Sequence, residues 1–394
     1  MPIKRVPATA LPLARWADQQ LRRFAEETGS AAIATLSGNV LLGERAGHNG
    51  FSVPLRKSAG GGCHLLAARD GWIALNLARE ADVELLPALF EERMFDLADL
   101  GEVNELVFRH DAAWLVARGR EMGLAIASID EVPISAAITK LCNTKPVNPA
   151  AQPPLVIDLS ALWAGPLCGH LLQLSGARVI KVESSSRPDV MRLGDTVLFA
   201  LLNQGKESVS VDLTSAEGRA QLLQLLDQAD IVIEAARPRA LRQLGIDAEA
   251  LVQARPGRVW ITITGHGAEG QQADWVGFGD DCSVAGGLTA SLRDASGVVG
   301  FVGDAIADPL TGIAAARAAW QAWQTGCGGR LGLAMSGVVA AAIADEQGLD
   351  TARFNADLCG WTQAIGLPLS GIAQRLPLSE LKPLGADNAR WLSC

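Results

Sequence analysis

The feature that most constrains the fold is an alternation, from Leu155 onward, of short apolar runs and stretches with helical periodicity. The apolar runs have the length of buried strands, and the spacing between them leaves room for helices. Such alternation predicts an α/β fold with a mostly parallel, Rossmann-like sheet and helices on both faces. The predicted strands cover 155–159, 177–183, 208–213, 231–233 and 259–263.

Three helices are predicted between these strands. The first follows the turn at Gly165 and ends at Gly176, because glycine commonly terminates a helix. The second begins at Thr214, which is spaced from Glu217 as a capping box is, and runs to about residue 228. The third covers 241–254.

The first 145 residues have a different pattern. Residues 13–27 carry apolar side chains at helical spacing, which predicts an amphipathic helix. A turn at 70–71 leads into a predicted strand that ends near Leu77, and further helices are predicted near 84–95 and 111–122. We therefore expect a smaller α+β domain over 1–145, a Pro-rich linker over 146–154, and the Rossmann-like domain over 155–394.

Composition excludes several classes of protein. The chain is 49% hydrophobic and 20% charged, which is typical of a soluble globular protein, and no apolar run approaches the length of a membrane span. The seven cysteines are scattered without a C-x-x-C pair, and the five histidines are not at metal-ligand spacing, so we expect reduced thiols in a cytoplasmic protein and no metal. A net charge of −9 argues against nucleic acid as a partner.

An ordered string of short motifs runs from Pro154 to Gly312. Its members lie at 156–160, 164–166, 176–183, 189–192, 203–208, 211–213, 234–238, 244–245, 264–270 and 302–312. In this order they resemble the class III CoA-transferase family. The glycine-rich turn at 60–62 and the segment 63–77 resemble that family's mobile loop and small domain, which ordinarily follow the catalytic aspartate. The sequence thus suggests a circularly permuted member of the family.

The resemblance implies that Asp308 is the catalytic nucleophile. In this family an aspartate carries the acyl group as a mixed anhydride and then carries CoA as a thioester. Asp304 is the alternative within the same segment, but the spacing to Gly312 favours Asp308. Locally, Asp308 followed by Pro309 is also typical of a helix N-cap with proline in the first turn.

The resemblance also implies the residues that bind CoA. CoA carries several phosphates, and basic residues of this acidic chain concentrate at Lys181, Arg187, Arg192, Lys206, Arg237, Arg239 and Arg242. A solvated helix face is the alternative for Arg239 and Arg242. The glycines of 60–62 and of 265–267 are candidate oxyanion donors, and His266 is interpreted as a turn residue. The predicted CoA-binding residues are Gly60, Gly61, Gly62, Leu162, Trp163, Ala164, Lys181, Lys206 and Arg237.

The chain departs from the family pattern in two places. Ala235 and Ala236 stand where the family has Asn-Phe before the arginine-proline turn, so two ligand contacts are missing. Trp163 stands where oxalate-using members have glutamine, which favours a bulkier acyl group unless the ring belongs to the core.

Acyl-CoA and a carboxylic acid are the expected substrates, with no permanently bound cofactor and a homodimer, possibly of interlocked chains. Racemases of the family are one alternative, but their Gly-His-Asp motif would fall near 278–281, where no histidine stands. A non-catalytic acyl-CoA-binding protein is a second alternative. A nicotinamide dehydrogenase is disfavoured because no Gly-x-Gly-x-x-Gly follows the first strand.

Overall fold

The computed structural model describes residues 11–92, 100–148, 152–236, 238–369 and 373–392. Its strands are β1 Cys63–Ala67, β2 Trp72–Asn76, β3 Ala125–Ser128, β4 Ile138–Asn143, β5 Leu155–Asp158, β6 Arg178–Ser184, β7 Glu207–Val211, β8 Ile231–Glu234, β9 Val259–Thr264 and β10 Gly329–Ala334. Its helices are α1 Ala14–Thr28, α2 Ala31–Ala34, α3 Gly38–Asn49, α4 Glu80–Glu84, α5 Leu86–Phe90, α6 Leu100–Phe108, α7 Ala112–Glu121, α8 Ala164–Leu174, α9 Thr196–Asn203, α10 Ala216–Gln228, α11 Pro238–Gln243, α12 Ala248–Ala254, α13 Gly279–Ala285, α14 Leu288–Ser296, α15 Ala307–Gln324, α16 Met335–Gln363 and α17 Asn388–Trp391.

The larger sheet has seven strands in the order β4-β10-β9-β8-β5-β6-β7. All neighbours pair in parallel except β4, which runs antiparallel to β10 at one edge. One face packs on α8 and α15, and the other face packs on α10 and α12. The central strands are continuous apolar runs because helices cover both faces. The predicted fold class, an α/β sheet with helices on both faces and a smaller sheet beside it, is confirmed.

Two local predictions need correction. The helix predicted over 241–254 is two helices, α11 and α12, because Gly245 adopts a left-handed conformation with φ of 77° between them. The cap of α10 is Ser215, whose hydroxyl accepts a hydrogen bond from Gly218 N–H at 2.9 Å. Thr214, the predicted cap, instead donates to the Asp212 carboxylate.

The N-terminal part contributes to two different cores. Strands β1, β2 and β3 form an antiparallel sheet that packs on α5, α6 and α7. Helices α1 to α3 pack instead in the core that α8 and α15 share with the larger sheet. The predicted boundary at 146–154 stays a prediction, and part of that segment lies outside the described residues, as do residues 93–95 of the helix predicted near 84–95. None of the described helices is long and apolar enough to cross a membrane.

Candidate active site

Asp308 lies in the first turn of α15, at the wall of a cavity. The helix begins at Ala307 with Ile306 in the cap position, and no side chain caps it. Asp308 is therefore the second helical residue, and the interpretation of Asp308 as an N-cap is wrong. Its own N–H donates to Ala305 O at 2.9 Å. The Asp308 carboxylate therefore does not cap the helix, although an aspartate before a proline most commonly does.

The carboxylate of Asp308 is surrounded closely by backbone. Ala164 N–H donates a hydrogen bond to it. On another side, a Cβ added at Gly279 would lie 2.2 Å from Oδ2 of Asp308, so only glycine permits this approach. Burial, together with the charges of Asp280 and Asp304, raises the pKa of Asp308 to about 7, against the opposing effects of Arg45 and the Ala164 N–H. Asp308 therefore titrates near neutral pH rather than near pH 4.

Three further aspartates lie beside Asp308, and we call Asp280, Asp281, Asp304 and Asp308 the acid cluster. Asp280 accepts a hydrogen bond from Ala305 N–H at 2.9 Å, and burial raises its pKa to about 6. Asp281 accepts from Phe278 N–H at 3.0 Å, and burial raises its pKa to about 7. Near neutral pH the three carboxyl groups of Asp280, Asp281 and Asp308 are therefore not all fully ionised.

Asp304, the alternative nucleophile, is held in an ion pair. Arg45 Nε donates to its Oδ2 at 2.8 Å, and Arg45 Nη2 donates to its Oδ1 at 2.5 Å. The Asp304 side chain is also buried. Both carboxylate oxygens are therefore engaged away from the cavity, whereas Asp308 borders it. This geometry favours Asp308 over Asp304 as the nucleophile.

The cavity beside Asp308 has a volume of about 250 Å³. Leu162 and Ala164 line it, as do Ala235 and Ala236, so the short side chains at the first departure from the family pattern leave this wall open. Other walls come from Arg79, Ile263, Gly265, Trp275, Phe278 and Met335. Among its described residues the cavity is mainly apolar, with the Asp308 carboxylate and the Arg79 guanidinium at its wall, which suits the thioester end of an acyl-CoA.

The turn that carries Leu162 to Ala164 is strained and internally braced. Leu162 has a left-handed φ of 68°, and its N–H donates to the Asp189 carboxylate at 3.2 Å. Trp163 is buried in the core, and the guanidinium carbon of Arg45 lies 5.2 Å from its ring centroid. The ring is not part of the cavity wall. Its size therefore does not act directly on a ligand in the cavity.

The two predicted lysine ligands lie inside the protein. Lys181 Nζ donates to Ser160 O at 2.6 Å and pairs with Asp189 at 3.2 Å. Lys206 Nζ donates to Asp158, to Pro166 O and to Asn203. Neither ammonium group reaches the surface in this structure, so both brace the turn beside the cavity rather than face solvent. Arg237 lies outside the described residues, as does the Arg239 side chain.

The glycine-rich turn lies beside the acid cluster. A Cβ added at Gly60 would lie 2.9 Å from Arg45 Nη2, and Gly61 has a left-handed φ of 82°. Gly62 precedes β1 and packs closely on Ala78. The structure thus brings the predicted loop, which is far from Asp308 in sequence, to the neighbourhood of the predicted nucleophile.

His266 is a buried turn residue next to the cavity. Its ring lies 5.7 Å from the Trp275 ring, and burial lowers its pKa to about 3, so it is neutral. The ligating atoms of His266, Asp281 and Cys282 lie within 4.8 Å of one another, which could hold a metal ion. Asp281 already accepts protein hydrogen bonds, and burial raises the pKa of the Cys282 thiol. We assign no metal to this group.

Sequence reasoning missed several residues of the site. They are Arg45, Ser58, Asn76, Arg79, Asp280 and Asp281. The adjacent aspartates 280 and 281 in an otherwise apolar stretch were a signal that two carboxylates enter the interior. The other four carry no local signal, because non-local packing brings them to the cluster.

A family model and several curated proteins match part of this chain. The model of CoA-transferase family III matches residues 154–356, just over half of the chain. Succinyl-CoA--D-citramalate CoA-transferase of Chloroflexus aurantiacus is 34% identical over 184 residues, which are 44% of this chain and 46% of that protein. Succinate--glutarate CoA-transferase of Agrobacterium fabrum is 32% identical over 219 residues, 50% of this chain and 55% of that protein.

The chain spans about half the length of the curated relatives it matches. Among solved structures, Rv3272 of Mycobacterium tuberculosis in its orthorhombic form is similar at 27% identity, with a TM-score of 0.45 over 52% of this chain and 59% of that one. The match of the family model extends from just before β5 through α15 into α16, and so includes Asp308. The protein belongs to CoA-transferase family III.

Proposed function

We propose that the protein transfers coenzyme A between carboxylic acids and that Asp308 is the nucleophile. The observation that carries the proposal is the Asp308 carboxylate at the cavity wall, hydrogen-bonded to Ala164 N–H and titrating near pH 7. Family membership and the CoA-transferase activities named for the relatives support it.

The proposed reaction exchanges one thioester for another. An Asp308 carboxylate oxygen attacks the carbonyl carbon of the donor thioester, the C–S bond breaks, and CoA leaves as a thiolate. The thiolate then attacks the Asp308 carbonyl of the mixed anhydride and releases the donor acid as a carboxylate. This leaves an aspartyl-CoA thioester. The acceptor carboxylate repeats the two steps in reverse, so no water, metal or redox partner is consumed.

The cavity gives a partial account of the substrates. Its walls near Asp308 are mostly apolar, with Ala235, Ala236 and Met335 among them, and Arg79, whose guanidinium pairs with Asp82, also lines it. We propose an acyl-CoA as donor, with the thioester end in this cavity, and a carboxylic acid as acceptor. The buried ring of Trp163 lies away from the acyl group, so the open wall at Ala235 and Ala236 is the feature that favours a bulkier acyl chain.

Mass spectrometry after reaction with acyl-CoA tests the proposal. The protein is incubated with a panel of acyl-CoA thioesters and quenched with hydroxylamine, which converts an activated aspartate to a hydroxamate. We expect the label on the peptide that contains Asp308, and we expect no label in Asp308→Asn. Asp345→Asn is the control and should keep the label, because the Asp345 carboxylate accepts a hydrogen bond from Trp16 and does not line the cavity. Binding of the thioesters without any label, or α-proton exchange in deuterated water, would replace this proposal by a binder or a racemase.

The permuted order and the homodimer are further parts of the proposal. Support for the permutation comes from Gly60, which lies against Arg45 at the acid cluster although it precedes the whole family-matched segment. Light scattering of the purified chain tests the dimer. An engineered chain in which residues 11–145 follow residue 392 tests the order, and we expect it to fold and to form the same acyl-enzyme.

A further inference from the structure

The acid cluster is held from outside the family-matched segment. Arg45 pairs with Asp304, the Ser58 hydroxyl donates to Asp280, and Asn76 Nδ2 donates to Asp281 at 3.1 Å. All three donors come from residues 45–76, whereas the family match begins at residue 154. Three of the four carboxylates therefore depend on the N-terminal part of the chain for a hydrogen-bond donor.

Arg45 is fixed more firmly than the other two donors. It projects from α3 and bonds both oxygens of Asp304. The Trp163 ring lies on one side of the guanidinium, and Gly60 lies on another, where a Cβ would come within 2.9 Å of Nη2. A bidentate pair between planar groups, packed against an aromatic ring and a glycine, has little freedom to reorient.

The titratable groups near Asp308 come from several elements. They are Arg45 on α3, Asp280 and Cys282 on α13, and Asp304 before α15; Arg79 lines the same cavity. Among the groups that bear on the ionisation of Asp308, the aspartates disfavour its charged form and Arg45 favours it. Arg45 lies against the Trp163 ring, and the Asp308 carboxylate accepts a hydrogen bond from the N–H of the next residue, Ala164, so the guanidinium and the carboxylate face the same turn.

We propose that Arg45 is a positioning residue of the active site: anchored on Asp304, its guanidinium supplies the positive charge that keeps the Asp308 carboxylate reactive. The inference rests on the proposed function, in which Asp308 is the nucleophile. It assigns to the N-terminal helix α3 a role in a site whose nucleophile lies in the family-matched segment.

Matched variants separate this role from a merely structural one. Arg45→Met removes the charge, and Asp304→Asn removes a competing carboxylate. Arg15→Met is the control, because it breaks the Arg15–Glu346 ion pair, which is buried to a similar degree. The Arg15 and Glu346 side chains are 23% and 2% exposed, and those of Arg45 and Asp304 are 21% and 1% exposed. The readouts are the pH midpoint of Asp308 acylation and the pH titration of the Asp308 carboxyl carbon by ¹³C NMR, assigned with Asp308→Asn.

The expected shifts have opposite signs. Arg45→Met should raise the midpoint by about one to three pH units, because a neighbouring opposite charge is lost. Asp304→Asn should lower the midpoint, since a like charge is lost. Arg15→Met should leave the midpoint unchanged. The midpoint of Arg45→Lys should lie between those of wild type and Arg45→Met, because lysine keeps the positive charge but cannot bond both oxygens of Asp304 as the guanidinium does.

Two results would overturn the inference. One is an Arg45→Met protein that folds and titrates with the wild-type midpoint. The other, which decides the matter if Arg45→Met does not fold, is an Arg45→Lys protein whose midpoint lies at or below that of wild type. If wild type is never acylated, the proposed function fails while the NMR titration still tests Arg45. If wild type is acylated and the midpoints do not change in the variants, the inference about Arg45 fails and the proposed function stands.

Discussion

Replacing Lys206 with methionine tests whether this residue braces the fold or binds phosphate. Lys206 Nζ lies 2.8 Å from Asp158 Oδ2, 2.9 Å from Pro166 O and 3.0 Å from Asn203 Oδ1. The Lys206 and Asp158 side chains are 1% and 0% exposed. Removing one partner of a buried pair typically costs 3–5 kcal/mol, because the other charge is left behind.

The structure places the expected cost of Lys206→Met at the lower end of that range. Asp158 keeps the Ser160 N–H at 3.0 Å and the Ser160 hydroxyl, and Lys181 remains close enough to favour its charged form. We expect a loss of about 3 kcal/mol in the free energy of unfolding. Asp158→Asn in the same chain should recover part of it, because the stranded charge is gone.

Urea denaturation at pH 7 measures the cost, and calorimetry with CoA measures binding. Lys382→Met is the control, since Lys382 pairs with Asp387 near the surface, and it should cost less than about 1 kcal/mol. Folded Lys206→Met should bind CoA within about threefold of wild type, a difference below 1 kcal/mol. A stability loss under 1 kcal/mol together with a tenfold or greater weakening of CoA binding would refute the reasoning and make Lys206 a phosphate ligand.

Three further outcomes follow from the same geometry. Gly279→Ala should abolish acylation and cost about 1–3 kcal/mol, because its Cβ would lie 2.2 Å from Asp308 Oδ2; Gly348→Ala, with open space around it, is the control by mass spectrometry and denaturation. Gly312→Ala should cost a similar 1–3 kcal/mol in urea, because its Cβ would lie 2.7 Å from Ala164 O at the contact of α15 with α8. Burial raises the folded pKa of Asp308 above its unfolded value, so its contribution to stability is present at acid pH and is lost as the pH rises towards 7. The free energy of unfolding of Asp308→Asn, measured in urea, should therefore rise relative to that of wild type by on the order of 1–3 kcal/mol between pH 5 and pH 8. A constant difference across that range would contradict the shift.

The larger sheet was largely predictable from the sequence. Strands β5, β6, β7, β8 and β9 are apolar runs that turn signals separate, and their order along the chain fixes βα connections. The break at Gly245 was not predicted, because helical periodicity continues across it while the backbone reverses its φ there. Strand β4 was missed because it is an edge strand with mostly part-exposed side chains, held by pairing to β10 far along the chain.

The site was predictable only where one segment carries its own signal. The motif string predicts Asp308 as the nucleophile, which stays a prediction, and the structure brings Leu162, Ala164 and Gly60 to its neighbourhood. Charge and a place beside a strand end indicated Lys206 as a ligand, but those features are equally typical of a lysine that neutralises a buried aspartate. Arg45 gave no signal, since the helix that carries it meets the acid cluster only through tertiary packing.

Two opposing effects act on Asp308, and their balance bears on the proposed reaction. A place in the first turn of a helix stabilises a carboxylate by about 0.3–1 kcal/mol. Desolvation and two neighbouring aspartates outweigh this, so the pKa rises to about 7. A more basic carboxylate is the stronger nucleophile towards a thioester, but a smaller fraction of it is ionised. Because Asp308 titrates near neutral pH, a change in the charge of a neighbouring group such as Arg45 changes the fraction of the carboxylate that is ionised.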